Sequence, residues 1–426
     1  MSVGLPSRHL RILVHDYGGY PFIVQLSRAL AHRGHEVLHL YADGFRQPKG
    51  QMDLRSADAR TLSIESVTLN EAIERGGFRR ISQERRYARL LADCIAAFRP
   101  NLVISANSPL DVQARASAAT RREGGAFVFW LQDVHSVAIS RILGRRLRFL
   151  GTLIGLRFAR LERRLLREAN AIVAISADYL PVIRAWGVPM KQVVVIENWA
   201  PLDDVAGTAT TTEWAAEHGI QGSRVVLYAG TLALKHNPAL LLELALGLPD
   251  AVVVVAAEGP GADWLQASGE GVRNLRVIPL QPYSRLSEML GSADLLVAVL
   301  EPDASTFSVP SKVLTYLAAG RAILAAVPVA NGAAEIILRA GAGLVVDPQD
   351  PAGMVAAARQ LLADPERLRT CGAAGRAFAE ATFDIERITD RFEAIFYETV
   401  NRKSDSRDPA AVDTAQSVDT SHEASR

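Results

Sequence analysis

Asp294-Leu295-Leu296-Val297-Ala298-Val299-Leu300 is followed by a loop, Glu301 to Phe307, and then by the turn Ser308-Val309-Pro310-Ser311-Lys312. That turn opens Val313-Leu314-Thr315-Tyr316-Leu317-Ala318-Ala319-Gly320. The first run reads as a buried strand and the Ala-rich run as a helix. A polar turn with a Ser-Lys pair therefore begins a helix at the carboxyl end of a sheet strand. In α/β proteins that is where phosphate-bearing ligands bind, because free backbone N–H groups and the helix dipole both favour an anion. Lys312 adds a mobile point charge. An ordinary strand-loop-helix connection with a surface Ser and Lys gives the same pattern, so the turn is weighed with the rest of the chain.

Outward from this stretch, short apolar runs alternate with longer helical patterns. In the first half the strands are expected at Leu10–His15, Glu36–Tyr41, Leu102–Ser105, Phe127–Gln132, Ala171–Ile175 and Val193–Ile196. In the second half they are expected at Arg224–Tyr228, Ala251–Ala257, Leu275–Pro279, Asp294–Leu300, Ala322–Val327 and Gly343–Val346. Helical periodicity lies between them, as in Phe22–Arg33 and Pro238–Leu246. Such β/α alternation predicts parallel sheets covered by helices on both faces. With 426 residues, too many for one ordinary core, the chain is expected to form two Rossmann-like domains facing each other across a cleft. The boundary is placed at Asn198-Trp199-Ala200-Pro201 and the Thr-rich stretch Thr208–Thr212. This gives a first domain at 1–200 and a second at 201–384. A helix at 385–402, with Ile388, Phe392, Ile395 and Phe396 on one face, is expected to pack back on the first domain. Residues 403–426 are polar and without periodicity, and read as a disordered tail.

The net charge of +1 conceals an asymmetry: residues 1–200 hold 29 Lys and Arg against 17 Asp and Glu, and the remainder holds 18 against 29. A basic first domain suits an anionic partner. Cys94 and Cys371 form neither a zinc spacing nor a disulfide framework, which fits a reducing compartment. There is no run of about 18 apolar residues and no apolar leader at the N-terminus, so a cytosolic protein is expected.

Several short elements carry candidate chemistry. The first strand ends at His15-Asp16-Tyr17-Gly18-Gly19-Tyr20-Pro21, where Gly18 and Gly19 allow either a tight turn or close backbone approach to a ligand. The second domain opens with Leu227-Tyr228-Ala229-Gly230-Thr231-Leu232-Ala233-Leu234-Lys235-His236-Asn237-Pro238, which can set the Lys235 ammonium over a diphosphate before a helix begins. Glu258-Gly259-Pro260-Gly261 closes the next strand, and its glycines again permit close passage of the main chain. Leu280-Gln281-Pro282-Tyr283 could present backbone groups to a base.

Taken in order, these elements resemble the family 4 glycosyltransferases of the two-domain GT-B type, over Ile12 to about Asn401. The resemblance also rests on Leu26-Ser27-Arg28-Ala29-Leu30-Ala31-His32-Arg33-Gly34-His35-Glu36-Val37, Ala174-Ile175-Ser176 and Val195-Ile196-Glu197-Asn198-Trp199. Pro310-Ser311-Lys312 with Ala318-Ala319-Gly320-Arg321, and Gly341-Ala342-Gly343-Leu344-Val345-Val346, complete it. It implies that Gly18 and Gly19 approach the donor diphosphate or the acceptor, and that Lys235 neutralises the diphosphate. Glu258, Gly259 and Gly261 would line the nucleotide pocket. Ser308, Pro310, Ser311 and Lys312 would hold ribose, phosphates or sugar. Many members carry two glutamates eight residues apart, where this chain has Phe307 and Thr315, and an Arg where it has Thr231. Both differences resemble an exopolysaccharide or lipopolysaccharide subgroup with a Pro-Ser-Lys turn.

On the acceptor side, strand Phe127–Gln132 leads to Asp133 and His135. Either could orient an acceptor hydroxyl or stabilise charge near the anomeric carbon, and the sequence does not separate them. From Arg141 to Glu168, Leu143, Leu147, Leu150, Ile154, Phe158, Leu161 and Leu165 recur at helical spacing among nine arginines. With a second cluster at Arg75, Arg79, Arg80, Arg85, Arg86 and Arg89, this predicts contact with an anionic membrane. Arg79, Arg80, Arg145, Arg146, Arg148 and Arg157 are the named contacts; the alternative is a solvated basic face on a packed helix. No nucleic-acid recognition motif is present.

The resemblance implies a retaining, metal-independent glycosyltransferase without a cofactor; with the charge pattern and the expected cytosolic setting, the protein is expected to be cytoplasmic and peripheral at the inner face of the cell membrane. It would move a hexosyl or N-acetylhexosaminyl unit from a nucleotide-sugar, expected to be a UDP-sugar, to a glycan or polyprenyl-diphosphate-linked acceptor. A sugar-nucleotide epimerase would need cleft acids that the sequence does not supply. A catalytically silent sugar- or lipid-binding subunit is the other reading, motivated by the missing glutamate pair.

Overall fold

The strands form two separate, all-parallel sheets in a computed structural model that describes residues 9–44, 49–69, 71, 73, 77–134, 136, 155–205, 213–301 and 311–405. The chain divides into two units, Met1–Glu197 together with Ile385–Arg426, and Asn198–Asp384.

The first unit holds β1 (Arg11–Asp16), β2 (Glu36–Ala42), β3 (Leu62–Val67), β4 (Leu102–Ala106), β5 (Ala126–Leu131), β6 (Ala171–Ala174) and β7 (Val193–Val195). Their order across the sheet is β3-β2-β1-β4-β5-β6-β7. Its helices are α1 (Pro21–His32), α2 (Gly77–Phe98), α3 (Leu110–Arg122), α4 (155–168) and α5 (Leu180–Ala185). Strands β4, β5 and β6 are buried at every position, as a parallel sheet covered on both faces requires.

The second unit holds β8 (Arg224–Thr231), β9 (Ala251–Glu258), β10 (Leu275–Ile278), β11 (Leu295–Val299), β12 (Ala322–Ala326) and β13 (Gly343–Val346), ordered β10-β9-β8-β11-β12-β13. Its helices are α6 (Glu213–Glu217), α7 (Ala239–Gly247), α8 (Pro260–Ser268), α9 (Leu286–Gly291), α10 (Ser311–Ala319), α11 (Gly332–Ala340), α12 (Pro351–Leu362) and α13 (Pro365–Thr382). Val226, Val253, Val255, Leu295, Val297 and Leu324 form the sheet side of a core into which Leu240, Leu244, Met354 and Leu361 pack from α7 and α12.

Sequence patterning found these strands except β3. Within Leu62–Val67 only the two ends are buried, while Ser63, Glu65 and Ser66 are exposed. An edge strand so exposed has no continuous apolar run, and burial-based reading passes over it.

The last helix, α14 (Ile385–Asp405), belongs to the first unit although it follows the second in sequence. It extends past the expected end at residue 402; of the expected tail, residues 406–426 lie outside the described residues. Ile388, Phe392, Ile395 and Phe396 are all buried. The Phe392 ring lies 4.9 Å from that of Trp130 on β5. Along the rim, Arg33 just after α1 pairs with Glu386 at 2.7 Å, Asp390 at 2.7 Å and Glu393 at 2.5 Å, and His35 meets Glu393 at 2.8 Å. Apolar burial supplies most of this docking, since the outer two carboxylates are solvated and such pairs contribute little. Among the described residues, no helix is long and apolar enough to cross a membrane.

Phe392 has no exposed surface, so Phe392→Ala should leave a cavity beside Trp130 and cost the first unit roughly 3–5 kcal/mol. Urea unfolding followed by Trp130 fluorescence measures this. A loss within error of zero would mean that α14 does not contribute to that core.

Candidate active site

Parallel sheets of this order leave a crevice at the carboxyl ends of the two strands where the order reverses, and ligands bind there. The reversal falls between β1 and β4 in the first sheet and between β8 and β11 in the second.

In the second unit, β8 brings Tyr228, Ala229, Gly230 and Thr231 to this point, and α10 begins there with Ser311 and Lys312. The Lys312 ammonium lies 3.7 Å from the centre of the Tyr228 ring. It passes beside Gly230, whose φ is +123°; a Cβ at that glycine would stand 3.5 Å from the Lys312 Nζ. The backbone conformation is what calls for glycine here, since a Cβ at that distance would only touch the lysine. Tyr316, one turn along α10, fixes the arrangement: the Ala229 N–H donates to its hydroxyl at 3.0 Å. The Tyr228 hydroxyl donates to the Thr231 carbonyl at 2.9 Å, holding the ring flat beneath the ammonium. Burial pushes the Lys312 amine down to about 7, and no described carboxylate pairs with it. A cation–π contact recovers only part of the hydration that the ammonium gives up. An anionic ligand at this point would restore more of that lost solvation.

Glycines of the β9–α8 turn are needed for packing. A Cβ on Gly261 would approach the Leu232 carbonyl oxygen at 2.7 Å, and one on Gly259 at 3.0 Å. The Gly261 N–H already donates to that carbonyl at 2.8 Å, so it is not offered to a ligand. Glu258, the last residue of β9, is partly exposed and has no side-chain partner among the described residues. Lys235 sits in the one-turn helix Leu234–His236, just before the left-handed Asn237, between β8 and α7. Ser308 and Pro310 lie outside the described residues. Gln281 accepts from the Trp214 indole N–H at 3.1 Å and Tyr283 donates to Asp204 at 3.1 Å, so those side chains serve the fold.

In the first unit, β1 ends in His15 and Asp16, both fully buried. The Asp16 carboxylate accepts from the Gly18 N–H at 3.1 Å and from the Tyr20 N–H. Burial pushes this carboxyl up to about 7, against the pull of those N–H groups. The Gly18–Gly19 loop is thus wrapped around an internal acid rather than opened as an empty nest of N–H groups. Gly19 has φ +74°, and Lys49 lies over it, with Cγ 3.1 Å from where a Cβ would stand. The Gly50 N–H donates to the Gly19 carbonyl at 3.0 Å, and the buried Arg28–Asp58 pair (3.0 Å) ties this segment to α1. His15 shares Nδ1 with Ser105 at 2.7 Å and Ser108 at 3.2 Å, while Nε2 meets the Tyr87 hydroxyl at 3.0 Å. Burial pushes the His15 imidazole down to about 3, so it stays neutral.

Sequence reading missed His15, Asp16, Lys49 and Tyr228. The first two were visible as polar residues ending an apolar strand; Lys49 carries no local signal, because its role comes from a contact across sequence.

Asp133 is exposed just beyond β5, in a segment tied down where Tyr179 donates to the Gln132 carbonyl at 2.9 Å. The Ser136 N–H donates to the buried Glu162 at 2.9 Å. His135 lies outside the described residues, as do Arg145, Arg146 and Arg148. Arg79 and Arg80 are not free positive charge: they pair with Glu71 at 3.5 Å and Glu84 at 2.6 Å. Arg157 is exposed on α4.

In sequence, residues 18–199 match the glycosyl transferase 4-like domain, and residues 210–378 match the glycosyl transferases group 1. The chain belongs to the family 4 glycosyltransferases. Its two Rossmann-like units carry the GT-B fold. The chain is 25% identical over 239 residues to WcaI of Escherichia coli strain K12, a protein assigned to colanic acid biosynthesis as a glycosyl transferase; the match covers 54% of this chain and 58% of WcaI. The chain spans 53–58% of the length of the curated relatives it matches. Sucrose-phosphate synthase from Thermosynechococcus elongatus has a similar fold, with TM-score 0.69 and 16% identity, covering 92% of this chain and 99% of that one. Anabaena HepE, solved with UDP and glucose, gives TM-score 0.67 and 14% identity, covering 92% and 100%.

The buried amine predicts a pH-dependent cost to this family member. Below about 7 both folded and unfolded Lys312 are protonated, and the folded ammonium is the poorly solvated one. Between about 7 and the ordinary lysine range the folded amine is neutral while the unfolded one is charged, so stability rises with pH. Lys312→Met should therefore stabilise the second unit by roughly 1–3 kcal/mol at pH 6, with the gain shrinking towards pH 10. Urea midpoints at the two pH values decide it; a gain independent of pH would remove the ammonium as its cause.

Proposed function

We propose that this chain is a retaining glycosyltransferase of cell-surface exopolysaccharide or lipopolysaccharide synthesis. It takes a sugar, hexosyl or N-acetylhexosaminyl, from a UDP-sugar and transfers it to a glycan or a polyprenyl-diphosphate-linked acceptor. The observation that carries this reading is the inward-turned Lys312 ammonium at the β8/β11 reversal, without a carboxylate and beside Gly230. A donor diphosphate is the anion that such a site lacks. UDP bound to a protein of the same fold supports the nucleotide, and the colanic acid assignment of WcaI supports the acceptor class.

In this reading the bond from the anomeric carbon to the diphosphate oxygen breaks and a bond to the acceptor hydroxyl forms on the same face. The acceptor proton passes to the departing diphosphate. Lys312 and Lys235 stabilise the charge that gathers on that diphosphate, so no metal is required. Glu258 accepts from a hydroxyl of the nucleotide ribose or the sugar. Asp133 or His135 serves the acceptor from the first unit. The protein works at the cytoplasmic face of the membrane that holds its acceptor.

Two measurements test this. Lys312→Ala should weaken UDP binding by roughly 1.5–3 kcal/mol in calorimetry, the range for a hydrogen bond to a charged group. UDP binding that is unaltered in this variant would remove Lys312 from the site, and loss of transfer in a chelator would remove metal independence. Asp133→Ala should lower kcat while leaving UDP affinity within about two-fold, provided Asp133 rather than His135 serves the transition state. UDP release at one rate by wild type, Asp133→Ala and His135→Ala would place the chemistry elsewhere.

A further inference from the structure

The arginines of the first unit fall into two populations. Arg79, Arg80, Arg121 and Arg164 each sit within ion-pair distance of a glutamate. Arg85 and Arg89 on α2, Arg115 on α3 and Arg157 on α4 have no carboxylate partner among the described residues, and all four are exposed. These four line one groove of about 330 Å³, with Ala88 at its floor and Asp111 its lone acid. Another concavity, at the opposite end of the second sheet, is unlike it. There Arg321 donates to the Gly291 carbonyl, and Arg376 to those of Ala318 and Val205, so those guanidiniums are already engaged.

Four guanidiniums around a single carboxylate, Asp111, leave the groove with a net positive charge that favours an anion entering between them. Two of the same helices also carry an exposed apolar side chain near these arginines in sequence. Ile81 precedes Arg85 by one turn on the same face of α2 and is 43% exposed; Leu156 precedes Arg157 on α4 and is 46% exposed. Cations that reach phosphate beside apolar side chains that reach acyl chain are the chemistry of a bilayer surface.

We propose that the α2–α3–α4 groove docks the phosphates of an anionic phospholipid surface, with Ile81 and Leu156 entering the headgroup boundary. This deepens the membrane-facing reading above and stands independently of the transfer chemistry. The docking charge is a discrete set that includes Arg115, and it excludes the glutamate-paired Arg79 and Arg80.

The test is flotation of the full chain with vesicles of phosphatidylglycerol and phosphatidylcholine, against phosphatidylcholine alone. Wild type should float with the anionic vesicles only. An arginine near a charged surface contributes about five-fold in affinity, so Arg89→Gln with Arg115→Gln should weaken flotation roughly 20- to 30-fold. Arg121→Gln with Arg164→Gln, the same change in formal charge taken from glutamate-paired arginines, should stay within about three-fold. Asp111→Asn should tighten binding, and this gain cannot come from misfolding. UDP affinity in calorimetry should be unchanged in all of them, so failure here is separable from failure of the transferase reading. Equal losses in the two double variants would overturn the groove, as would a wild type that ignores anionic vesicles. Inorganic pyrophosphate bound stoichiometrically at the groove without vesicles, or mixed-sequence RNA bound in their place, would overturn the lipid surface as occupant.

Discussion

A lysine ammonium turned inward over a tyrosine ring, with no described carboxylate to meet it, is the constraint on which the second unit's architecture turns. It exists because parallel strands in the order β10-β9-β8-β11-β12-β13 leave the ends of β8 and β11 uncovered, with α10 starting at the same place. Gly230 supplies the positive-φ turn beside the ammonium, Tyr228 offers it a negative ring face, and Tyr316 ties α10 to Ala229. Each feature makes sense as preparation for an anion. An arrangement that is energetically poor by itself is the kind in which preorganised binding sites trade stability for affinity, and the proposed donor site rests on it.

The first unit solves the corresponding position in the opposite sense. Its strand reversal holds a buried carboxyl, Asp16, whose oxygens collect the N–H groups of the Gly18–Gly19–Tyr20 turn. The carboxyl compensates its own N–H donors, so the turn is shaped before any ligand arrives. His15, neutral and saturated by Ser105 and Tyr87, stiffens the floor behind it. At its strand reversal the second unit therefore holds a lysine without a described carboxylate, and the first a satisfied loop. An anion gains more beside an unpaired cation than beside a carboxyl that already satisfies its own N–H donors, and this local contrast is what the proposed placement of the donor rests on.

Much of the fold was legible because parallel strands buried on both faces must be continuous apolar runs, as in β4, β5 and β11. β3 was not, because Glu65 and its polar neighbours face solvent at the sheet edge. The site was legible only where chemistry lies on one short segment: Lys312 follows a strand and opens a helix. Asp16 stands within the first glycine turn, but nothing local marks it as the turn's centre, since a sequence does not show which way backbone N–H groups point. Lys49 was invisible, because it reaches Gly19 only through the Gly50 hydrogen bond and the Arg28–Asp58 pair. The basic stretch was visible as composition but not as distribution.

That last distinction matters for how the positive excess of the first unit acts. Arg33 is consumed by Glu386, Asp390 and Glu393 in fastening α14, and Arg28 by Asp58 in fastening the segment beside Gly19. Arg121 and Arg164 share Glu168. Pairing of this kind holds elements together but cancels the field a partner would feel. Long-range attraction is therefore left to the cations without carboxylates, and α2, α3 and α4 bring four of them to one groove. The sign of a surface is set by its unpaired residues, so counting arginines along the sequence overstates the field at Arg79 and Arg80 and overlooks it at Arg115.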